Sequence, residues 1–221
     1  KFFKTNPEIN DKSRELSLLW KYDFFDAENK SKFYQENIEL NPIFYKGYLY
    51  VLGPDFRFIS FKPTNGEINW EIMLPPVKGM TPKRGILAYQ DKIYLNVGAK
   101  LFAFNYLNGQ IDKYFGKKGV YSGGSLLAPF VYKNVVYIVS LDGYLRGFAV
   151  DSGKLISQIP YRNKKYPGFA SLPWGGVALD STNGLVYFTT GNAKPDIYGV
   201  SREGSNPGSS TLFCIDLNEK E

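Results

Sequence analysis

Short apolar runs broken by two-residue polar steps set the pattern of this chain. IFYKGYLYVL (43–52) and FVYKNVVYIV (130–139) each read as two strands around a tight turn. A second turn follows each pair, then a run such as FRFISF, KLFAFN or YLRGFAV. Next comes a polar turn with glycine (PTNGE, YLNGQ, VDSGK) and a last short strand. Asn-Gly and Asp-Gly steps tolerate the positive φ that tight hairpins require. ELSLLWKY, near the N-terminus, fits a helical period and a strand equally well.

The pattern repeats. Pro42, Tyr45, Lys46, Tyr50, Asp55 and Gly66 recur without a gap 87 positions later, as Pro129, Tyr132, Lys133, Tyr137, Asp142 and Gly153. Gly66 to Gly109 is 43 positions and Gly109 to Gly153 is 44, so 87 is two periods. Four short antiparallel strands every 40-odd residues predict an all-β chain, a β-propeller of four-stranded blades. The four blades fall at about 38–73, 84–116, 125–160 and 173–217, as one domain or part of one. Residues 1–37 form an N-terminal segment in which SLLWKYDF resembles the closing strand of a neighbouring blade. Four blades either close on themselves or form half of an eight-bladed ring; the unfinished repeat CIDLNEKE favours a fragment or a partner chain.

Composition adds exclusions. Aromatic residues are 17% of the 221, which suits pleated, half-buried surfaces. The formal charge is +6, but the lysines are scattered and form no stripe, which argues against nucleic acid as a partner. With no histidine, the chain has no Ser-His-Asp or Cys-His catalysis and no His-ligated metal of its own. Its one cysteine, Cys214, reads as a small buried apolar residue and excludes an intrachain disulfide. No apolar run reaches the length of a membrane span, and the first residues do not read as a signal peptide.

Functional residues concentrate in 174–206, WGGVALDSTNGLVYFTTGNAKPDIYGVSREGSN, an insertion in the fourth blade. It gathers a Trp, a Gly-Asn step, a Pro-Asp step, an Arg and a second Asn between two strand-like runs. Most of these weaken a strand, so the segment reads as a binding loop at a sheet end.

FKPTNGEINW resembles the tryptophan-docking repeat of the quinoprotein dehydrogenases, and Trp70 fits its docking position; Lys113 and Ser157 stand there in later copies. KRGILAY, LFAFNYLNGQIDKYFGKKG and WGGVALDSTNGLVYFTTGN followed by PDxxGxxRxGxN are similar to stretches of the alcohol and glucose dehydrogenases dependent on pyrroloquinoline quinone (PQQ). The likeness runs from about 38 to 217 and implies the N-terminal half of such a propeller. It implies that Trp174 floors the quinone, that Asn192 gives an amide oxygen to Ca²⁺, and that Arg84 meets the anionic cofactor. Ser140 is a looser match for a hydroxyl near the cofactor; Asp196, Arg202 and Asn206 would line the site from the loop. No catalytic residue is expected in this chain, because the family's general base is an Asp from a later blade. The third-blade hairpin SLDGYLRG also lacks the family's metal-binding Glu. The resemblance further implies a periplasmic enzyme that oxidises an alcohol or sugar hydroxyl. Electrons would pass to a cytochrome or membrane quinone, and the ring's second half would come from the rest of a longer chain or from a separate one. The rival expectation is a non-catalytic propeller scaffold; the missing Glu and base favour it, and the inserted loop counts against it.

Overall fold

The computed structural model describes residues 17–24, 40–75, 85–98, 100–116, 120–122, 124–162, 171–193, 200 and 206–218. These form four antiparallel sheets and no helix. The first contains β1 (Ile43–Tyr45), β2 (Tyr48–Leu52), β3 (Arg57–Phe61) and β4 (Ile68–Met73). The second contains β5 (Ile86–Tyr89), β6 (Lys92–Val97), β7 (Lys100–Asn105) and β8 (Val120–Ser122). The third contains β9 (Phe130–Tyr132), β10 (Val135–Val139), β11 (Tyr144–Ala149) and β12 (Leu155–Pro160). The fourth has three strands among the described residues: β13 (Pro173–Asp180), β14 (Leu185–Thr190) and β15 (Leu212–Asp216). Every strand pairs with its sequence neighbour, the up-and-down order of a propeller blade. Cys214, expected to be buried, is exposed, because it lies on the outer strand β15 opposite Tyr187. The β9–β10 turn has positive φ at both Lys133 (47°) and Asn134 (59°), the twist that suits a two-residue hairpin.

The core lies between sheets. Tyr50, Leu52 and Phe58 of the first sheet pack on Ile93, Leu95 and Phe104 of the second. Tyr94 and Leu101 pack on Val136 and Ile138 of the third, and Tyr137 and Val139 on Val186 and Phe188 of the fourth. Alternate residues of β6 and of β10 therefore face opposite neighbours, as the pleat dictates. That is why these strands read as near-continuous apolar runs: both faces are covered.

A ring seated on a glycine turn joins successive sheets. The Trp70 indole donates to Tyr106 O (3.1 Å), and a Cβ on Gly109 would stand 2.7 Å from its ring. Tyr50 donates its hydroxyl to the same carbonyl at 2.9 Å. Trp20 repeats the arrangement on the first sheet, donating to Pro63 O (2.8 Å) against Gly66. The 17–24 stretch is neither helix nor strand, yet it docks as a preceding blade's last strand would. Arg57 fastens it, bonding Tyr22 Oη and Phe24 O, both at 2.9 Å, while pairing with Asp55.

At the next junction the sequence expectation needs correcting. Lys113 does occupy the Trp position, but a ring is present all the same. Asp112 accepts Tyr114 N (3.0 Å) in a tight turn that lifts the chain out of the sheet and swings Phe115 onto Gly153. Phe115 is fully buried, 5.4 Å from the Tyr94 ring. The detour delays the fourth strand to β8, beyond the bound of 116 read from the repeat. At the third junction Ser157 contributes no ring, and Tyr161, Phe188 and Phe213 cluster instead at the other end of the sheets, with centroids 5.0–5.6 Å apart.

Two predictions follow from the junctions. Gly47 (φ +85°) has open space where a Cβ would go, so Gly47→Ala should cost about 1–2 kcal/mol of backbone strain. Gly109→Ala should cost a further ~1–3 kcal/mol because the Trp70 ring must move; urea midpoints compare the two. Burial raises the Tyr50, Tyr94 and Tyr161 hydroxyls above the ordinary 10.0. Unfolded tyrosines ionise first, so their stabilisation is complete below pH 10 and is lost as pH climbs above it. The melting temperature should fall above pH 10, with these three ionising, by absorbance near 295 nm, only as the protein unfolds.

Candidate functional site

The fourth sheet assembles the candidate site at one end. Pro173 pairs with Thr190, and Leu172 O accepts Gly191 N at 3.1 Å. Trp174, one residue inside β13, and Asn192, two residues past β14, therefore sit at the same end of the sheet. A bulge interrupts the ladder between Pro173 and Val177 and frees 174–176 from regular pairing. Trp174 is 42% exposed, and Asn192 is exposed as well.

Glycines keep this end open. A Cβ on Gly176 (φ +113°) would meet nothing within 4 Å, and one on Gly191 only Leu172 O at 3.8 Å. Beside them the sheet face carries a shallow groove of about 330 Å³ from Gly175 and Gly176 to Tyr187 and Leu212. The sequence reading named the Trp and the Asn but missed the glycines' part; the Gly175-Gly176 and Gly191 positions beside them were the available signal.

The end of the inserted loop folds back onto the same place. Thr190 Oγ1 donates to Gly208 O (2.7 Å), Thr190 N to Thr211 O (3.0 Å) and Ser210 N to Gly191 O (2.8 Å). Asn206 begins this stretch with φ +47°, and its carbonyl accepts Ser209 Oγ at 2.6 Å. The loop's return is thus tied to the strand end that carries Asn192. Arg84, Asp196 and Arg202 lie outside the described residues.

Ser140 follows β10 at the corresponding end of the third sheet. It is fully buried, and its carbonyl accepts Tyr161 Oη at 2.6 Å. Ser140 is therefore not brought into the open pair of Trp174 and Asn192. Asp142, in the same turn, gives both carboxylate oxygens to Arg146 (2.7 and 2.6 Å), which also bonds Gln158 at 2.9 Å. The hairpin's acid is thus committed within its own sheet. No group of three or more His, Cys, Asp or Glu converges among the described residues.

Comparison with known proteins follows the same outline. The family model described as PQQ glucose/ethanol/alcohol dehydrogenase, β-propeller domain, matches residues 3–123 and 140–219. The glycerol dehydrogenase large subunit of Gluconobacter thailandicus is 32% identical over 88 residues, covering 34% of this chain and 12% of that protein. Among solved structures, the quinohemoprotein alcohol dehydrogenase from Comamonas testosteroni superposes with a TM-score of 0.60 at 18% identity, over 81% of this chain and 35% of that one. BamB from Moraxella catarrhalis gives 0.53 at 12% identity, over 69% and 44%. At such identities the structural likeness carries the fold alone. The chain spans about a third of the dehydrogenase it superposes on, and the match covers about an eighth of the glycerol dehydrogenase subunit.

The exposed indole yields a test that needs no ligand. Trp174→Phe should change stability by no more than about 1 kcal/mol and remove the emission most accessible to acrylamide, since Trp70 is only 9% exposed and Trp20 is half-buried. Unchanged quenching would place the accessible indole elsewhere.

Proposed function

Because the chain belongs to the family of PQQ glucose/ethanol/alcohol dehydrogenase β-propeller domains, we propose that it forms part of an enzyme that oxidises an alcohol or sugar hydroxyl, with PQQ held at the open end of the fourth sheet. The observation that carries this reading is the exposed Trp174 indole at the same sheet end as Asn192, with glycines where side chains would otherwise intrude. A planar tricyclic quinone matches that surface, and stacking on indole adds ~0.5–1.5 kcal/mol beyond area burial. When bound, PQQ supplies the two-electron acceptor for hydride.

The chain's own residues would then work as a cradle. Trp174 orients the ring system and keeps water from one face. Arg84 offers charge and paired donors to a cofactor that carries several carboxylates. Asp196, Arg202 and Asn206 line the entrance from the loop. For Ca²⁺, Asn192 offers an amide oxygen. A calcium ion takes six to eight oxygens, and Asp142 is committed to Arg146, so the described residues do not make a cage alone. We place the remaining ligands, and the base that takes the hydroxyl proton, outside this chain.

Location and partners belong to the same proposal: a periplasmic enzyme passing electrons to a cytochrome or membrane quinone. The ring would continue past the fourth sheet, half of eight blades, in the same chain or a second one. Tyr187 is the counterpart of Tyr50 and Tyr94 in the repeat, yet its face of the sheet bears the open groove and the exposed Leu212 (67%). A scaffold reading draws on the Arg146-bound Asp142, and the same titration decides between the two.

Adding PQQ should quench tryptophan emission and shift the quinone absorbance. Trp174→Ala should weaken binding about tenfold, the effect of ~1.4 kcal/mol, and Asn192→Ala should abolish any tightening by Ca²⁺. No spectral change with the intact protein, with or without Ca²⁺, would favour the scaffold.

A further inference from the structure

Between the third and fourth sheets, at the end that carries Trp174, lies a separate cavity of about 160 Å³. Tyr161 and Arg162, just past β12, line one side. Ser171, just before β13, lines the other with Thr211 and Phe213. Pro207 also lines the cavity and is exposed, so the space reaches the surface there.

Polar groups of the lining are engaged within the fold. Tyr161 donates to Ser140 O at 2.6 Å, Thr211 Oγ1 to Ser209 O at 2.8 Å, and Gly208 O accepts Thr190 Oγ1 at 2.7 Å. Arg162 donates through Nη2 to Leu141 O at 3.2 Å and rests its stem on the Gly143 turn. Ser171 is different. It is 1% exposed, and its Oγ has no hydrogen-bond partner among the described residues. A buried hydroxyl left unpaired costs stability, and such groups in native proteins call for an explanation. Water answers it poorly. A buried water makes about three hydrogen bonds, and most of this lining is apolar.

Rings set the shape of the space. Tyr161 and Phe213 stand 5.6 Å apart at 64°. Both also pack on Phe188, at 5.0 and 5.2 Å, which holds them in place. Such a surface favours another ring, set edge-on or offset. An engineered apolar cavity of ~150 Å³ admits benzene, so this one has room for a single six-membered ring with a small substituent. The unpaired serine asks that the substituent form one hydrogen bond. The fit draws on no charge, and a charged group taken into an apolar space is costly.

We infer that this cavity binds a small phenol: one neutral ring against Tyr161 and Phe213, with its hydroxyl bonded to Ser171 Oγ. The space is smaller than the ~300–1,000 Å³ of pockets that enclose larger ligands, so a fused ring system does not enter. The inference stands apart from the quinone proposal, because its residues and chemistry involve neither Trp174 nor Asn192.

Saturation-transfer NMR on the intact protein tests it with phenol, toluene and benzoate. Phenol and toluene have nearly the same size, and only phenol can pair with the serine. Phenol should bind about tenfold more tightly, the effect of one hydrogen bond to a buried group otherwise left unpaired. Benzoate should bind more weakly than phenol. Ser171→Ala should bring phenol down to the level of toluene and leave toluene unchanged. Trp174→Phe should leave phenol binding intact, so this inference and the quinone proposal fail separately. Equal binding of phenol and toluene, no binding of either, or tighter binding of benzoate would overturn the inference. So would full phenol binding by a folded Ser171→Ala variant, or its loss in a folded Trp174→Phe variant.

Discussion

Everything in this fold depends on how one sheet is fixed to the next. An isolated blade cannot bury its own apolar faces, and those between sheets here are covered by the neighbouring sheet. Where Trp20, Trp70 and Phe115 stand, the fixing contact is a ring set against a glycine turn. The turn carbonyl at Tyr106 takes both the Trp70 indole N–H and the Tyr50 hydroxyl. Glycine serves twice at that point: it adopts φ +70°, and it leaves room for the ring. Those two demands explain why Gly66, Gly109 and Gly153 keep the spacing that reveals the repeat.

The legible parts were those with a local cause. Hairpin turns, strand order and the sheet-to-sheet period follow from turn residues and apolar runs, and the sequence shows both directly. The Phe115 substitution was not legible. It needs the Asp112 turn, a local event, and also the knowledge that a slot on Gly153 stands empty, which only the packed neighbour supplies. Trp20 shows the converse case. Its docking role could be read from SLLWKYDF by analogy with Trp70, but not that it docks without forming a strand.

The site divides in the same way. Trp174 and Asn192 stand eighteen positions apart in sequence, and the β13–β14 ladder alone brings them to one end of the sheet. The glycines around them and the bulge at 174–176 convert that proximity into open surface. Ser171 and Arg162 escaped the sequence reading because neither belongs to a motif. Their relation exists only across the junction of two sheets, where a serine and an arginine line the same cavity from opposite sides. Charge was equally hard to read. In sequence Asp142 only marks the repeat; in the fold Arg146, four residues later, takes both its oxygens.

We propose that the exposed indole of the fourth sheet seats a flat redox molecule. A crystal of the protein grown with PQQ tests this without an intermediary. Planar difference density should lie stacked on the Trp174 ring, with the Asn192 amide at its edge. Density in another place, or a bare indole in crystals whose spectrum shows bound quinone, would contradict it.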